Sequence, residues 1–179
     1  DSPHAYGNNL FPDFFEWLEF LGRLTEVTDY DWYIKAHPDF LPKTGKVLRY
    51  LVKKYPRLVL LPAQSSHHQI ISEGIDVALT TYGTIGAEYS ALGIPVVNAS
   101  VNNPHIDYTF SIHPKTVAEY REILTNLDRL NHSINKDDVY EYYFMRMNQL
   151  YNSENWLFGD YKLMVKKLGG YHEQFEPAV

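Results

Sequence analysis

The segment DVALTTYGTIGAEYSALGIPVVN, Asp76–Asn98, carries the clearest architectural signal in the chain. Its first part, Asp76–Thr81, is largely apolar and predicts a strand that ends in a turn containing glycine. The spacing of apolar residues after this turn predicts a helix over Thr84–Leu92, closed by Gly93. A second apolar strand is predicted at Ile94–Asn98. This order of strand, helix and strand is typical of a βαβ unit with parallel strands.

The same alternation extends towards the amino terminus. Its predicted elements are a helix at Phe11–Thr25 with Pro12 in the first turn, a strand at Trp32–Ala36, a helix at Lys43–Lys54, a strand at Leu58–Leu61 and a short helix from Ser65 or Ser66 to Ile71. Strands that are continuous apolar runs favour a parallel sheet with helices on both faces. Towards the carboxyl terminus only helices are predicted, at Thr116–Leu130, Asp137–Tyr151 and Lys162–Leu168.

The sequence therefore predicts an α/β fold, a doubly wound Rossmann-like parallel sheet with a helical C-terminal tail. We expect residues 1–130 to form the Rossmann-like domain and residues 131–179 to form a helical extension that packs on it. In such folds a strand precedes the first helix, whereas residues 1–9 are short and polar. We therefore expect the first strand to lie upstream of Asp1 or to come from another chain.

Composition narrows the classes of function. The chain has 179 residues, 45% of them hydrophobic, a formal net charge of −6 and no cysteine. The length suits one domain with its own core. Without cysteine there is no disulfide framework, thiolate zinc site or thiol nucleophile. The excess of acidic over basic residues argues against a surface that binds nucleic acid. No apolar run approaches the roughly 20 residues that span a bilayer, and no leader is recognisable, so we expect a cytoplasmic protein.

The loops that follow the predicted strands are the candidate binding region, because ligands of open parallel sheets bind at the carboxyl ends of the strands. We expect the four loops to meet at one rim. The loop with Gly83 and Gly86 is the most informative, since it opens a helix whose first backbone N–H groups suit a phosphate. Glu88, about one turn into that helix, can accept hydrogen bonds from two vicinal hydroxyls.

His37 is the second candidate for a residue of the binding site. Pro38 restricts His37 to an extended backbone at the end of a predicted strand, where the imidazole can donate a hydrogen bond to a phosphoryl oxygen or a leaving group. Candidate sugar or acceptor contacts are Ser2 and His4, before the first helix, and His105, after the last predicted strand. The adjacent His67 and His68 diverge on a helix, so no metal site is predicted.

These motifs together resemble a known family. WYIKAHPDF, followed some forty residues later by the segment Asp76–Val97, is similar to the C-terminal, nucleotide-sugar-binding half of GT-B-fold glycosyltransferases. The similarity is strongest to the capsule and surface-polysaccharide transferases, which share a His-Pro motif with bacterial sialyl- and Kdo-transferases. It covers roughly Asp1–Ser111. Two departures stand out: no Arg or Lys adjoins the glycine turn, and the second catalytic half is absent from this chain.

The resemblance implies a role for each matching position. His37 would contact the donor's phosphate or stabilise the leaving nucleotide, and Glu88 would bind the ribose. The phosphate and base would be held by the remaining donor-binding residues, Ser65, Ser66, Thr81, Tyr82, Gly83, Thr84, Ile85 and Gly86. The expected partners are a nucleotide-sugar donor, a glycan or lipid-linked acceptor and the missing N-terminal half, with no cofactor or metal and no nucleic acid.

Several alternatives remain open at this point. Within the same fold, the chain could be a CDP-polyol phosphotransferase or a nucleotide-sugar epimerase. It could instead be a non-catalytic protein-interaction domain. The aromatic stretch from Tyr140 to Tyr151 leaves peripheral attachment at the inner face of the membrane open, although the mixed charges beside it favour packing against protein. The chain could also be a response-regulator-like module, but it lacks the acidic cluster that such a module carries after its first strand.

Overall fold

The computed structural model describes residues 8–37 and 42–146. Within these ranges the helices are α1 Phe14–Thr25, α2 Pro42–Lys54, α3 His67–Ser72, α4 Ile85–Ala91, α5 Val117–Thr125 and α6 Lys136–Phe144, and the strands are β1 Trp32–Lys35, β2 Leu58–Leu61, β3 Ala78–Thr80 and β4 Val96–Asn98. The helix predicted at Lys162–Leu168 lies outside the described residues. The candidates Ser2 and His4, and the Pro38 of the His-Pro motif, also lie outside them.

The strands form two small parallel sheets. β1 pairs with β2, with Trp32 opposite Leu58, and β3 pairs with β4, with Ala78 opposite Val96. Ile112 adds a single parallel bridge on Val97. The fold is therefore mixed α/β with short parallel strands, as the sequence predicts, and every strand found was predicted within two residues of its ends. The single doubly wound sheet remains a prediction.

The chain divides into two compact units, Asp1–Val139 and Tyr140–Val179. The first contains both sheets and the helices that cover them. In the described part of the second unit, Arg146 donates a hydrogen bond of 3.2 Å to the Tyr142 hydroxyl. The domain boundary expected near residue 130 stays a prediction.

Helix α1 begins three residues later than the sequence pattern suggested. Asp13 is extended, with φ −156° and ψ 176°, and its carboxylate accepts a hydrogen bond of 2.8 Å from the backbone N–H of Glu16. An aspartate that satisfies a first-turn N–H is a stronger helix start than the apolar spacing before it. The prediction that Pro12 occupies the first turn is therefore wrong, because Pro12 precedes the N-cap.

The helix predicted over Thr116–Leu130 is interrupted. α5 ends at Thr125, and a 3₁₀ turn follows at Leu127–Arg129. Between them the Asn126 side chain donates a hydrogen bond of 2.8 Å to the carbonyl of Glu122. An asparagine that bonds the backbone in this way competes with the next helical turn, so the apolar spacing alone overestimates the helix length.

Two separate apolar clusters cover the β3–β4 sheet. Leu79 and Val97 pack in a cluster with α1, α2 and α5, whereas Ala78 and Val96 pack in another with Tyr89 of α4. Because successive residues of a strand point to opposite faces, these clusters lie on opposite sides of this sheet. Trp32 of β1 and its neighbours belong to the first cluster, which thus joins both sheets to one core.

The buried carboxylate of Glu19 is paired with a lysine side chain. Glu19 accepts hydrogen bonds from Lys54, at 2.7 and 2.9 Å, and from the Tyr55 hydroxyl at 2.9 Å. Burial raises the pKa of Glu19, but these hydrogen bonds and the charge of Lys54 outweigh it, so the pKa lies below its ordinary value. The Tyr55 ring occupies the space that a side chain on Gly22 would need.

Candidate functional site

The turn after β3 is built by Thr80. Its hydroxyl accepts a hydrogen bond of 3.0 Å from the N–H of Gly83, and a Cβ on Gly83 would come within 2.7 Å of the same oxygen. The N–H of Gly86 bonds to the carbonyl of Gly83 at 3.1 Å. The amides of Thr84 and Ile85 make no backbone hydrogen bond within the described residues. An anion at this turn would therefore be held by Thr84 and Ile85 rather than by Gly86.

Gly86 leaves the space that the side chain of His105 occupies. The backbone of Gly86 lies directly against the imidazole, and a Cβ placed there would come within 2.8 Å of His105 Cε1 and 3.4 Å of Asn98 Oδ1. His105 is buried, and its ring packs 5.0 Å from that of Phe110. Only glycine allows this approach, so Gly86 fixes the loop after β4 beneath the first turn of α4.

A buried polar network extends from His105 under the turn. Asn98 donates to the Ser111 hydroxyl at 3.1 Å and accepts from the Asn103 amide at 2.9 Å. Ser111 also lies 3.2 Å from Nδ1 of His105 and 3.1 Å from Nε2 of His113. Burial lowers the pKa of His113 to about 4, so this ring is neutral at pH 7. The Asn103 Oδ1 atom is buried without a hydrogen-bond partner.

Residues of two other elements, β1 and α4, lie near His67, the first residue of α3. Its Nδ1 lies 2.7 Å from the hydroxyl of Tyr89 in α4. Burial lowers the pKa of His67, the charge of Lys35 at the end of β1 lowers it further, and Glu88 raises it. These charges can act on the ring only because the end of β1, the start of α3 and the first turn of α4 lie close together.

An apolar cleft of about 290 Å³ opens at the carboxyl ends of β1 and β2. Its wall includes Ala36, which precedes His37, and Pro62 and Ala63, which begin the loop that contains Ser65 and Ser66, two of the expected donor-binding residues. Arg49 of α2 also lines it. The cleft is close to the lower end of the size range of ligand pockets, roughly 300–1,000 Å³. Of the described residues that line the cleft, Arg49 is the one charged residue.

The predicted donor-binding residues fall into an exposed group and a buried group. Gly83, Thr84 and Glu88 are exposed on the turn and α4, as are His37 and Ser66 on their loops. Ser65, Tyr82 and Ile85 are half-buried, and Thr81, Gly86 and His105 are buried. Ser66 and Thr84 cap their helices without a side-chain hydrogen bond. Contact of His37 with the glycine turn, and of His105 with a sugar, stay predictions.

Sequence reasoning missed the residues that assemble this region. Lys35, at the end of β1, is a cation whose charge acts on His67. Tyr89 is the partner of His67, a histidine interpreted only as a member of a non-metal pair. Asn98, Asn103 and Ser111 build the network beneath the turn. Their polar side chains in or near an apolar strand were the one available signal, since a buried amide needs partners.

Comparisons with protein-family models, with curated proteins and with solved structures found no match to this chain. Within residues 8–37 and 42–146, no group of three or more acidic or histidine side chains could hold a metal ion. No helix among the same residues is both long and apolar enough to cross a bilayer.

Proposed function

We propose that this chain is the donor-binding domain of a glycosyltransferase for capsular or surface polysaccharide, and that it binds a nucleotide-activated sugar at the rim of the sheets. The observation that carries the proposal is the gathering of charge at the His67 ring, whose pKa is lowered by Lys35 from the end of β1 and raised by Glu88 from α4. In a doubly wound sheet, nucleotides bind in the crevice outside the carboxyl ends of the strands, and Lys35 lies at such an end. The resemblance described for the His-Pro and glycine-turn motifs supports it.

The proposed binding mode assigns each part of the donor to different residues. The amides of Thr84 and Ile85 hold a phosphate, and the charge of Lys35 supplements them. Glu88, exposed one turn into α4, accepts hydrogen bonds from the ribose hydroxyls. The base lies against Pro62 and the cleft beside it.

The proposed reaction is a displacement at the anomeric carbon of the sugar. The oxygen of an acceptor hydroxyl forms a bond to that carbon as the bond from the carbon to the phosphate oxygen breaks. The nucleotide leaves with the bonding electron pair, and the acceptor's proton passes to a base that we expect in an N-terminal half. His37 and the amides donate hydrogen bonds to the departing phosphate, which stabilises its growing charge. We expect no metal or other cofactor to be required.

Calorimetric titration with CMP, CDP, UDP and GDP tests the proposal. We expect one of the four to bind with 1:1 stoichiometry, and we expect this chain alone to turn over poorly. If none binds at millimolar concentration, the proposal fails. Product analysis with the base that binds then distinguishes a glycosyltransferase from a CDP-polyol phosphotransferase or a nucleotide-sugar epimerase.

One observation favours a function in protein interaction. Tyr33 and Val59 lie opposite each other in β1 and β2, and both are exposed, at 61% and 47%. Two neighbouring apolar side chains on an open sheet face suit contact with another protein surface. A pure interaction domain predicts that His37→Ala and Glu88→Ala leave cellular function intact, while Tyr33→Lys abolishes it. The glycosyltransferase proposal predicts loss of function from the first two changes.

A further inference from the structure

Three strand edges in the described part of the chain have no partner: the outer edge of β2 and one edge each of β1 and β3. Among the described residues, β1 pairs only with β2, and β3 pairs only with β4. β4 is different, because it lies between β3 and Ile112. The N–H and C=O groups along a free edge are able to pair with a further strand. The question is whether the free edges of β1 and β3 face each other.

Because crossovers between parallel strands are almost always right-handed, the positions of the helices fix the order of the strands. α2 packs in the cluster with α1, whereas Ile71 of α3 and Tyr89 of α4 pack in the cluster on the opposite face of β3–β4. Viewed from the α3 and α4 side with the strands pointing up, β4 must lie to the right of β3. Because α2 lies on the far side in this view, β2 must lie to the left of β1. Because α3 lies on the near side, β3 must lie to the right of β2.

Only one order of strands satisfies these crossovers together with the observed pairs. It is β2, β1, a gap, β3 and β4, with the free edges of β1 and β3 facing each other across the gap. Helix α1 leads to the same gap. It lies on the α2 side and precedes β1. A right-handed crossover through α1 into β1 must therefore start from a strand to the right of β1.

The segment that precedes α1 agrees with this position. The N–H of Leu10 bonds to the carbonyl of Ala99 at 2.9 Å, and the N–H of Val101 bonds to the carbonyl of Asn8 at 3.0 Å. Ala99 directly follows β4 and donates to the carbonyl of Thr80, the last residue of β3. Residues 8–10 thus lie beyond the carboxyl ends of β3 and β4, where the loop from a strand in the gap to α1 has to pass.

We propose that the gap between β1 and β3 receives one extended strand of the polypeptide that leads into Asp1, parallel to both neighbours. The inserted strand joins the two sheets into one and places β1 and β3 about 9.5 Å apart, two strand spacings. Since helices lie on both sides, its side chains are apolar on both faces, with no proline. The proposal concerns assembly of the sheet and is independent of the substrate.

A designed extension of the full chain tests it. Five alternating valines and isoleucines are fused directly before Asp1, and a matched control carries proline at the third of these positions. We expect the extension to raise the midpoint of thermal unfolding and to slow amide hydrogen exchange at least tenfold in both β1 and β3, and the proline control to lose both effects. Slower exchange in only one of the two strands, no change in either, or self-association without slower exchange would overturn the proposal.

Discussion

The backbone of Gly86 lies against the imidazole of His105, and this contact holds the loop after β4 beneath the turn after β3. It joins the two loops of the candidate site that come from the β3–β4 sheet. Because both partners are buried, neither can move aside at little cost.

Gly86→Ala is therefore expected to destabilise the protein by about 1–3 kcal/mol, the usual cost of forcing an extra methyl group into a packed core. Urea unfolding measures this as a lower midpoint. The double variant Gly86→Ala, His105→Ala removes the overlap, so the effect of the glycine substitution should be much smaller in the His105→Ala background. Equal effects in both backgrounds would show that the two residues are not in contact.

The helix caps allow stability to be separated from binding. The Thr116 hydroxyl accepts a hydrogen bond of 3.1 Å from the N–H of Glu119, whereas the Thr84 hydroxyl makes no capping bond. We expect Thr116→Ala to cost about 0.5–2 kcal/mol in the free energy of unfolding. Thr84→Ala should change stability little, because no capping bond is lost, and should weaken nucleotide binding, because the proposed phosphate site includes Thr84. A large loss of stability from Thr84→Ala would contradict this.

Stability should decrease at mildly acidic pH because of His113. Its pKa is lowered to about 4 in the folded protein, mainly by burial, whereas an unfolded histidine titrates near 6.5. The unfolded state therefore binds the proton first, and stability is lost as pH falls from about 6.5 towards about 4. Unfolding measured between pH 4 and 8 should show this slope, and His113→Gln should flatten it. An unchanged slope in the variant would assign the effect to other groups.

The charges around His67 predict two opposite shifts in its pKa. Lys35→Met removes a positive charge and should raise the pKa, because that charge disfavours the imidazolium. Glu88→Gln removes a negative charge and should lower it. Titration of the imidazole by NMR measures both, and Lys46→Met, in α2, is a control of the same type. If neither substitution moves the pKa, then Lys35 and Glu88 are not close to His67.

The sequence predicts the elements of this protein better than their assembly. The parallel strands at Leu58–Leu61 and Val96–Asn98 follow from local apolar runs bounded by proline and glycine, which do not depend on distant residues. The contacts of the candidate site join residues far apart in the chain. His67 meets Tyr89, and Lys35 reaches the same place from β1, and no local pattern encodes such pairs.

Two local errors have a shared cause. At Asp13 and at Asn126 a polar side chain bonds the backbone and overrides the apolar spacing that extends on either side. Gly86 is a different case, because its N–H already bonds to the carbonyl of Gly83 and its part in anion binding stays a prediction. The sequence indicated a glycine that allows close approach, but only the structure shows that the approaching group is His105.

The most direct test of the proposed function is an NMR titration of the labelled chain with the four nucleotides, followed at the amides of Thr84, Ile85 and Glu88 and at the His67 ring. The account predicts that one nucleotide shifts all four signals together along a single saturable curve, while the amides of α5 do not move. Shifts confined to other parts of the chain, or no shift with any nucleotide at millimolar concentration, would contradict a nucleotide site at this rim.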